Sequence, residues 1–203
     1  MTEELVHYET ADGVATITLD SPRNRNALSA QLRAELAQRL QLAQSDTTVR
    51  VIVLSHTSTV FCSGMDLKEA GGADSEQQGV NDFPAILQAL WESTVPVVAR
   101  IAGPARAGGV GMIAACDIAI AAREANFAFT EVRIGVVPAV ISATVLPRLL
   151  PRAGHELFLT GERFDAERAE RIGLINAAVP TERLDAEVAR YAEMLALGAP
   201  KAL

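Results

Sequence analysis

Apolar and polar positions alternate over residues 14–19, V-A-T-I-T-L, and residues 5–10 have the same β-rich character, with A-D-G between the two segments. A period of two around a turn signal predicts a hairpin with one face in a core. Residues 21–29, S-P-R-N-R-N-A-L-S, read as a loop. Beyond them Leu32, Leu36 and Leu40 share one stripe and Ser29 stands where an N-cap belongs, which predicts a helix over 29–43. The apolar run V-R-V-I-V-L-S at 49–55 predicts a buried strand. Residues 70–79 are polar and glycine-rich and predict a mobile loop, followed by a helix over 80–92. Pro96 opens another apolar strand that runs to Gly103. The helix expected from 108, G-G-V-G-M-I-A-A-C, has no charged residue and is expected to pack on most faces. Short strands follow at I-A-I-A and N-F-A-F. Helical segments are then expected over 141–150, 153–159, 165–171 and 181–196, separated by Pro151, Gly161 and I-G-L-I-N-A-A-V-P. Strands interrupted by helices predict a layered α/β protein.

A chain of 203 residues suits one domain with a substantial core. Its net charge of −7 argues against broad attraction to nucleic acid or an anionic membrane. Cys62 and Cys116 have no companion at metal-ligand spacing and read as reduced and buried. His7, His56 and His155 are scattered and fit no zinc or catalytic pattern. The opening M-T-E-E-L lacks the features of a secretory signal, and no apolar run reaches the roughly 18–20 residues of a membrane span, so a cytoplasmic location is expected.

Two segments place a glycine turn after an apolar strand: F-C-S-G-M-D at 61–66 and A-R-A-G-G-V-G at 105–111. Glycine lets the backbone turn sharply and lets a ligand approach closely. N–H groups at the first turn of a helix have no partner within the helix. Two of them converging on one carbonyl oxygen make an oxyanion hole. Relief of crowding between layers is the structural alternative for the same glycines. G-V-G-M-I-A at 109–114 matches only a loose form of the dinucleotide fingerprint and gives weak support for nucleotide binding.

Taken in order, V-A-T-I-T-L-D-S-P-R-N-R-N-A-L, F-C-S-G-M-D-L-K, P-V-V-A-R-I-A-G-P-A-R-A-G-G-V-G-M-I-A-A-C-D, F-A-F-T-E-V-R-I-G and G-E-R-F-D-A-E-R-A-E-R-I-G-L-I-N resemble the enoyl-CoA hydratase/isomerase (crotonase) family over essentially the whole chain. The resemblance implies a single crotonase-like α/β domain over 1–203. Residues 1–180 would form a spiral of β-β-α units, and 181–203 the start of peripheral C-terminal helices. It also implies acyl-CoA or enoyl-CoA substrates, no separate cofactor because CoA belongs to the substrate, and a homotrimer or dimer of trimers. Family members normally continue for several tens of residues, into helices that cover the acyl pocket and support trimer contacts. A shortened chain, or a pocket completed in another way, is therefore expected.

Carried onto this sequence, the resemblance implies that the N–H groups of Met65 and Gly108 are the oxyanion donors. CoA contacts are implied at Arg25, Ala27, Leu28, Ser63, Asp66, Leu67 and Lys68, and Arg23 or Arg25 is suited to meeting a phosphate. Asp66 is expected to cap the following helix in preference to touching ligand. Hydratases of the family usually use two glutamates; the positions that match are Gly111 and Glu131. One carboxylate is thus absent, and Gly111 is expected to leave space for a bulkier acyl group or an ordered water. Glu131 alone suffices to move a proton between carbons, as in single-glutamate double-bond isomerases, and that reaction is slightly favoured. A dienoyl-CoA isomerase would want an aspartate where Ala139 stands. Hydration despite Gly111, decarboxylation, and a catalytically silent acyl-CoA-binding role also remain open. Glu92 and Glu124 are expected to face solvent, and Asp117 to satisfy local backbone donors.

Overall fold

A computed structural model describes residues 3–66, 69 and 75–199, with backbone alone over 75–81. The opening hairpin pairs β1 (Val6–Ala11) antiparallel with β2 (Val14–Leu19). Its turn residues Asp12 and Gly13 have φ of 51° and 79°, the doubly positive geometry that matches strand twist in a two-residue turn. In β2 the alternation is real: Ala15, Ile17 and Leu19 are fully buried.

From β2 onward the sheet is parallel, through β3 (Val51–His56), β4 (Val97–Ile101), β6 (Ile118–Ala122) and β9 (Ala177–Val179). All six residues of β3 are buried, as expected when both faces of a parallel sheet are covered. Ile52 and Leu54 join the large core with Leu32, Leu36 and Leu40 of α1 (Ala30–Ser45) and with Phe83, Leu87 and Leu90 of α2 (Ser75–Trp91). Val51 and Val53, on the opposite face, meet Leu184, Val188 and Ala192 of α7 (Leu184–Ala196). Ser29 caps α1, its side chain accepting from Leu32 N–H at 3.3 Å.

A second, smaller sheet produces the spiral. β5 (Ala105–Arg106), β7 (Asn126–Ala128) and β8 (Phe164–Asp165) form three short strands, and isolated bridges join Cys62 to Ala105 and Leu28 to Met65. Each unit therefore runs from a long strand in the large sheet, through a short crossing in the small layer, into a helix. β4, β5 and α3 (Gly108–Ala115) form the clearest example. β6 and β7 lead in the same way to α4 (Ala139–Val145), through a 3-10 turn at Thr130–Ile134.

Several boundaries differ from the sequence expectation. α2 begins at Ser75, so part of the loop expected at 70–79 is helical, and the helix continues through Pro84. Residues 70–74 of that loop lie outside the described residues. Pro151 opens α5 (Pro151–Thr160) instead of separating helices, because proline is tolerated where the first N–H has no helical partner. α6 (Ala166–Arg171) lies where expected, with Asp165 accepting from Arg168 N–H at 2.7 Å as its cap. β9 lies inside the stretch read as a separator. Three residues are too few to show a period, and its pairing with β6 defines it. Among the described residues, no helix is long and apolar enough to cross a membrane.

Candidate functional site

The site begins with the loop before α1, which is strapped to the first glycine segment. Asn26 is fully buried with a φ of 53°. Its Oδ1 accepts from Ser21 N–H at 2.6 Å, and its Nδ2 donates to the Val60 carbonyl at 2.9 Å. Ser63 N–H donates to the Arg25 carbonyl at 3.1 Å, and Ser63 Oγ donates to the Asn24 carbonyl at 3.1 Å. Asn24 Nδ2 donates to Asp66 Oδ2 at 3.0 Å. Leu28 N–H donates to the Gly64 carbonyl at 2.8 Å, beside the bridge to Met65. The two asparagines hold the strap, and sequence reading missed both. Asparagines alternating with arginines in S-P-R-N-R-N-A-L-S look like ordinary loop composition, and only the partners reveal their task.

The second glycine segment is sewn to the first. Phe61 N–H donates to the Pro104 carbonyl at 3.0 Å, and Arg106 N–H donates to the Cys62 carbonyl at 2.9 Å. Gly64 has a φ of +92°, and a Cβ there would lie 3.1 Å from Ala107 Cβ. A Cβ on Gly108 would lie 2.6 Å from Leu28 Cδ1 and 3.1 Å from Phe83 Cζ; one on Gly109 would lie 2.7 Å from Cys62 Cβ. Glycine at these positions is thus required for close approach. Leu28 ties the pieces together: its backbone holds Gly64 and its side chain packs on Gly108.

Ala107, immediately before α3, has φ 47° and ψ −118° and gives the helix no side-chain cap. A non-glycine residue held there costs about 1–3 kcal/mol and persists only when its surroundings enforce it. Ala107 N–H is bonded to the Ala128 carbonyl at 3.1 Å. Among the described residues neither the Met65 N–H nor the Gly108 N–H meets an acceptor. Two free donors thus sit on segments joined by direct hydrogen bonds.

Glu131 is three residues beyond Ala128, so its backbone is at most about 11 Å along the chain from the residue bonded to Ala107. It falls in the first turn of the 3-10 segment Thr130–Ile134. Among the described residues its Oε2 is buried without a hydrogen-bond partner. Desolvation raises its pKa, opposed in part by a hydrogen bond from its own backbone N–H. Burial without a partner raises carboxyl pKa values at sites of proton transfer.

The space expected at Gly111 is filled. A Cβ there would lie 2.5 Å from Ile141 Cγ2, 3.0 Å from Ile141 Cβ and 3.6 Å from Leu87 Cδ2. Thr144 Oγ1 donates to the Gly111 carbonyl at 3.1 Å, so α4 packs directly on α3. The missing carboxylate is replaced by a branched apolar side chain from another helix, which sequence alone could not place there.

Of the other expected contacts, Arg25 is exposed and without an ion-pair partner among the described residues, whereas Arg23 lies 3.5 Å from Glu3. Ala27 and Leu28 are buried, so they offer backbone rather than side chains to a ligand. Ser63 and Asp66 are half-buried; α2 begins only at Ser75, so Asp66 does not cap it. Leu67 and Lys68 lie outside the described residues. Cys62 and Cys116 are free and buried, and burial pushes the Cys62 thiol up to about 12. Glu92 and Glu124 are exposed, and Asp117 accepts from Val97 N–H at 2.8 Å.

The alternating long and short strands, with two glycine turns stitched together in the small layer, define a crotonase-type α/β protein. The enoyl-CoA hydratase/isomerase profile matches residues 9–203, and the chain belongs to that family. It is 37% identical over 192 residues to the rat mitochondrial enoyl-CoA hydratase domain-containing protein 3, covering 91% of this chain and 63% of the rat protein. Among solved structures, an enoyl-CoA hydratase from Mycobacterium avium matches with TM-score 0.89 and 45% identity, covering 98% of this chain and 79% of that one. Another, from Mycobacterium smegmatis, matches with TM-score 0.94 and 29% identity, covering 98% and 79%.

Proposed function

We propose that this chain is an acyl-CoA enzyme in which the Met65 and Gly108 N–H groups stabilise a thioester enolate while Glu131 moves one proton, with enoyl-CoA isomerisation favoured over hydration. The observation that carries this reading is the asymmetry of acid/base groups. Among the described residues a buried oxygen of Glu131 has no partner, whereas at Gly111, the position matching the other glutamate of hydratases, Ile141 fills the volume a side chain would take.

In the isomerisation, the Glu131 carboxylate takes a proton from C2 of a 3-enoyl thioester. The electron pair moves into the dienolate and is held at the thioester oxygen by the two N–H groups. The protonated Glu131 then returns a proton at C4, which leaves the double bond between C2 and C3. A desolvated carboxyl suits both steps, because a pKa closer to neutrality improves it as an acid without removing it as a base. Loss of one oxyanion donor is expected to cost about 10²–10³ in rate. Only a proton moves, so CoA enters as part of the substrate. Hydration would need an added water activated and a second proton managed, with one carboxylate for both tasks.

Arg25 and the backbone at Ala27, Leu28, Ser63 and Asp66 belong to the proposed CoA contact, as do Leu67 and Lys68. The proposal includes a cytoplasmic location and a homotrimer or dimer of trimers. Exposed Ile134, Val136, Val137, Leu146 and Leu150 support an assembly, because apolar side chains in this number on neighbouring segments favour contact with another surface.

The decisive experiment incubates the purified protein with 2-enoyl-CoA and 3-enoyl-CoA thioesters in deuterated water, read by mass spectrometry, with Glu131→Gln alongside. Interconversion with deuterium uptake and no added mass of water supports the isomerase. Gain of water by a 2-enoyl thioester overturns that preference. Tight binding with no exchange in either protein supports the silent acyl-CoA-binding alternative.

A further inference from the structure

We infer that Ile141 limits the length of acyl chain this site accepts, by separating it from a groove between α2 and α4; this rests on the acyl-CoA reading above. Gly108 and Gly111 lie one turn apart on one face of α3. α2 faces them at matching spacing, with Phe83 against Gly108 and Leu87 against Gly111. An acyl chain that leaves the Gly108 N–H and runs along α3 reaches Gly111 within about 5 Å. There it meets the Ile141 side chain.

Beyond Ile141 the protein is not solid. A groove of about 250 Å³ lies between α2 and α4, lined by Pro84, Leu87, Gln88, Trp91, Val140 and Thr144 among others. Leu87 and Thr144 line this groove and also approach Gly111, Thr144 through its hydrogen bond to the Gly111 carbonyl. The partition is therefore a single layer of side chains. Ile141 is its member nearest Gly111, 3% exposed and packed where Gly111 has no side chain to answer it. Trimming Ile141 opens the wall without touching Met65, Gly108 or Glu131.

The test uses saturated acyl-CoA thioesters, which cannot isomerise or hydrate, so binding is read apart from chemistry. Calorimetric Kd values for butyryl-, hexanoyl-, octanoyl- and decanoyl-CoA are compared between the wild type, Ile141→Ala and Ile141→Val. The wild type is expected to bind octanoyl-CoA about ten-fold or more weakly than butyryl-CoA, in the range that one or two misfitting methylenes cost in an apolar pocket. Ile141→Ala is expected to reverse that order, with butyryl-CoA changed by no more than about two-fold. Ile141→Val should move the same way by a few-fold, which keeps the test valid if the alanine variant fails to fold. Ala143 also lines the groove, and adding Ala143→Phe to Ile141→Ala, to fill it, should restore the short-chain preference. An unchanged length profile in folded Ile141→Ala, or in Ile141→Val where the alanine variant does not fold, overturns the inference. So does a wild type that binds octanoyl-CoA as tightly as butyryl-CoA. Failure of the wild type to bind a thioester of any length overturns the acyl-CoA reading as well.

Discussion

Ile141 Cγ2 lies 2.5 Å from the point where a Cβ on Gly111 would stand, so the two positions share one volume. A glutamate introduced at 111 therefore has no room while Ile141 remains. Gly111→Glu alone is expected to lose about 3 kcal/mol or more, through overpacking and a buried charge, measured by urea denaturation. The pair Gly111→Glu with Ile141→Gly is expected to recover much of that stability and to gain water-adding activity on a 2-enoyl thioester. Equal stability of the single and double variants would show that the clash relaxes elsewhere.

Glu131→Gln is expected to lower deuterium exchange at the α-carbon about 10²–10⁴-fold. The same change has a signed effect on stability. Glu131 has a raised folded-state pKa, so the native state holds more protons than the unfolded state between the unfolded value and the folded one, and stability falls as pH rises through that window. The variant should therefore be more stable than the wild type at pH 7 and lose that advantage below the ordinary carboxylate range. Unfolding curves at pH 4 and pH 7 measure it.

His56 gives the opposite slope. Its Nε2 accepts from Ala102 N–H at 2.9 Å while Nδ1 donates to the Thr57 carbonyl at 3.0 Å, so the buried ring is held neutral. Burial lowers its pKa below 6.5. The unfolded state then binds the extra proton, and stability drops as pH falls below about 6.5. His7, whose pKa is raised by the Asp20 carboxylate at 2.8 Å, contributes stability below 6.5 that is lost as pH rises through its folded value. Thermal midpoints at pH 5 and 7.5 for His56→Gln and His7→Gln should shift in opposite directions relative to the wild type.

Gly103 and Gly108 separate backbone from side-chain constraint. A Cβ on Gly103 would lie 2.0 Å from the Thr59 carbonyl oxygen, which cannot move without breaking the loop. Gly103→Ala is expected to cost more than about 4 kcal/mol. Gly108→Ala meets the ends of the Leu28 and Phe83 side chains and is expected to cost about 1–3 kcal/mol while displacing the Gly108 N–H. Denaturation midpoints and turnover measured together distinguish the two.

Arg25→Ala is expected to weaken binding of a CoA thioester about two- to five-fold at low salt, the scale of an exposed ion pair. The difference should shrink as ionic strength rises. Arg23→Ala should change less, because Arg23 already faces Glu3.

The hydrophobic pattern alone determined the hairpin at β1 and β2, the buried strands β3 and β4, and the leucine stripe of α1. In each, the local period and the burial demanded by the sheet agree. Ser29 and the turn at Asp12 and Gly13 were legible for the same reason, since their tasks are set by neighbours in the chain. The family motifs marked Met65, Gly108 and Glu131 as positions of interest. What only the tertiary structure decided lies in contacts between residues far apart: β9 pairing with β6, Asn26 holding Val60, the unpartnered oxygen of Glu131, and Ile141 lying in the gap beside Gly111. A glycine in a sequence marks a missing side chain, but what occupies the vacated volume depends on which helix packs there. Here α4 supplies an isoleucine, and no local property of either segment encodes that meeting.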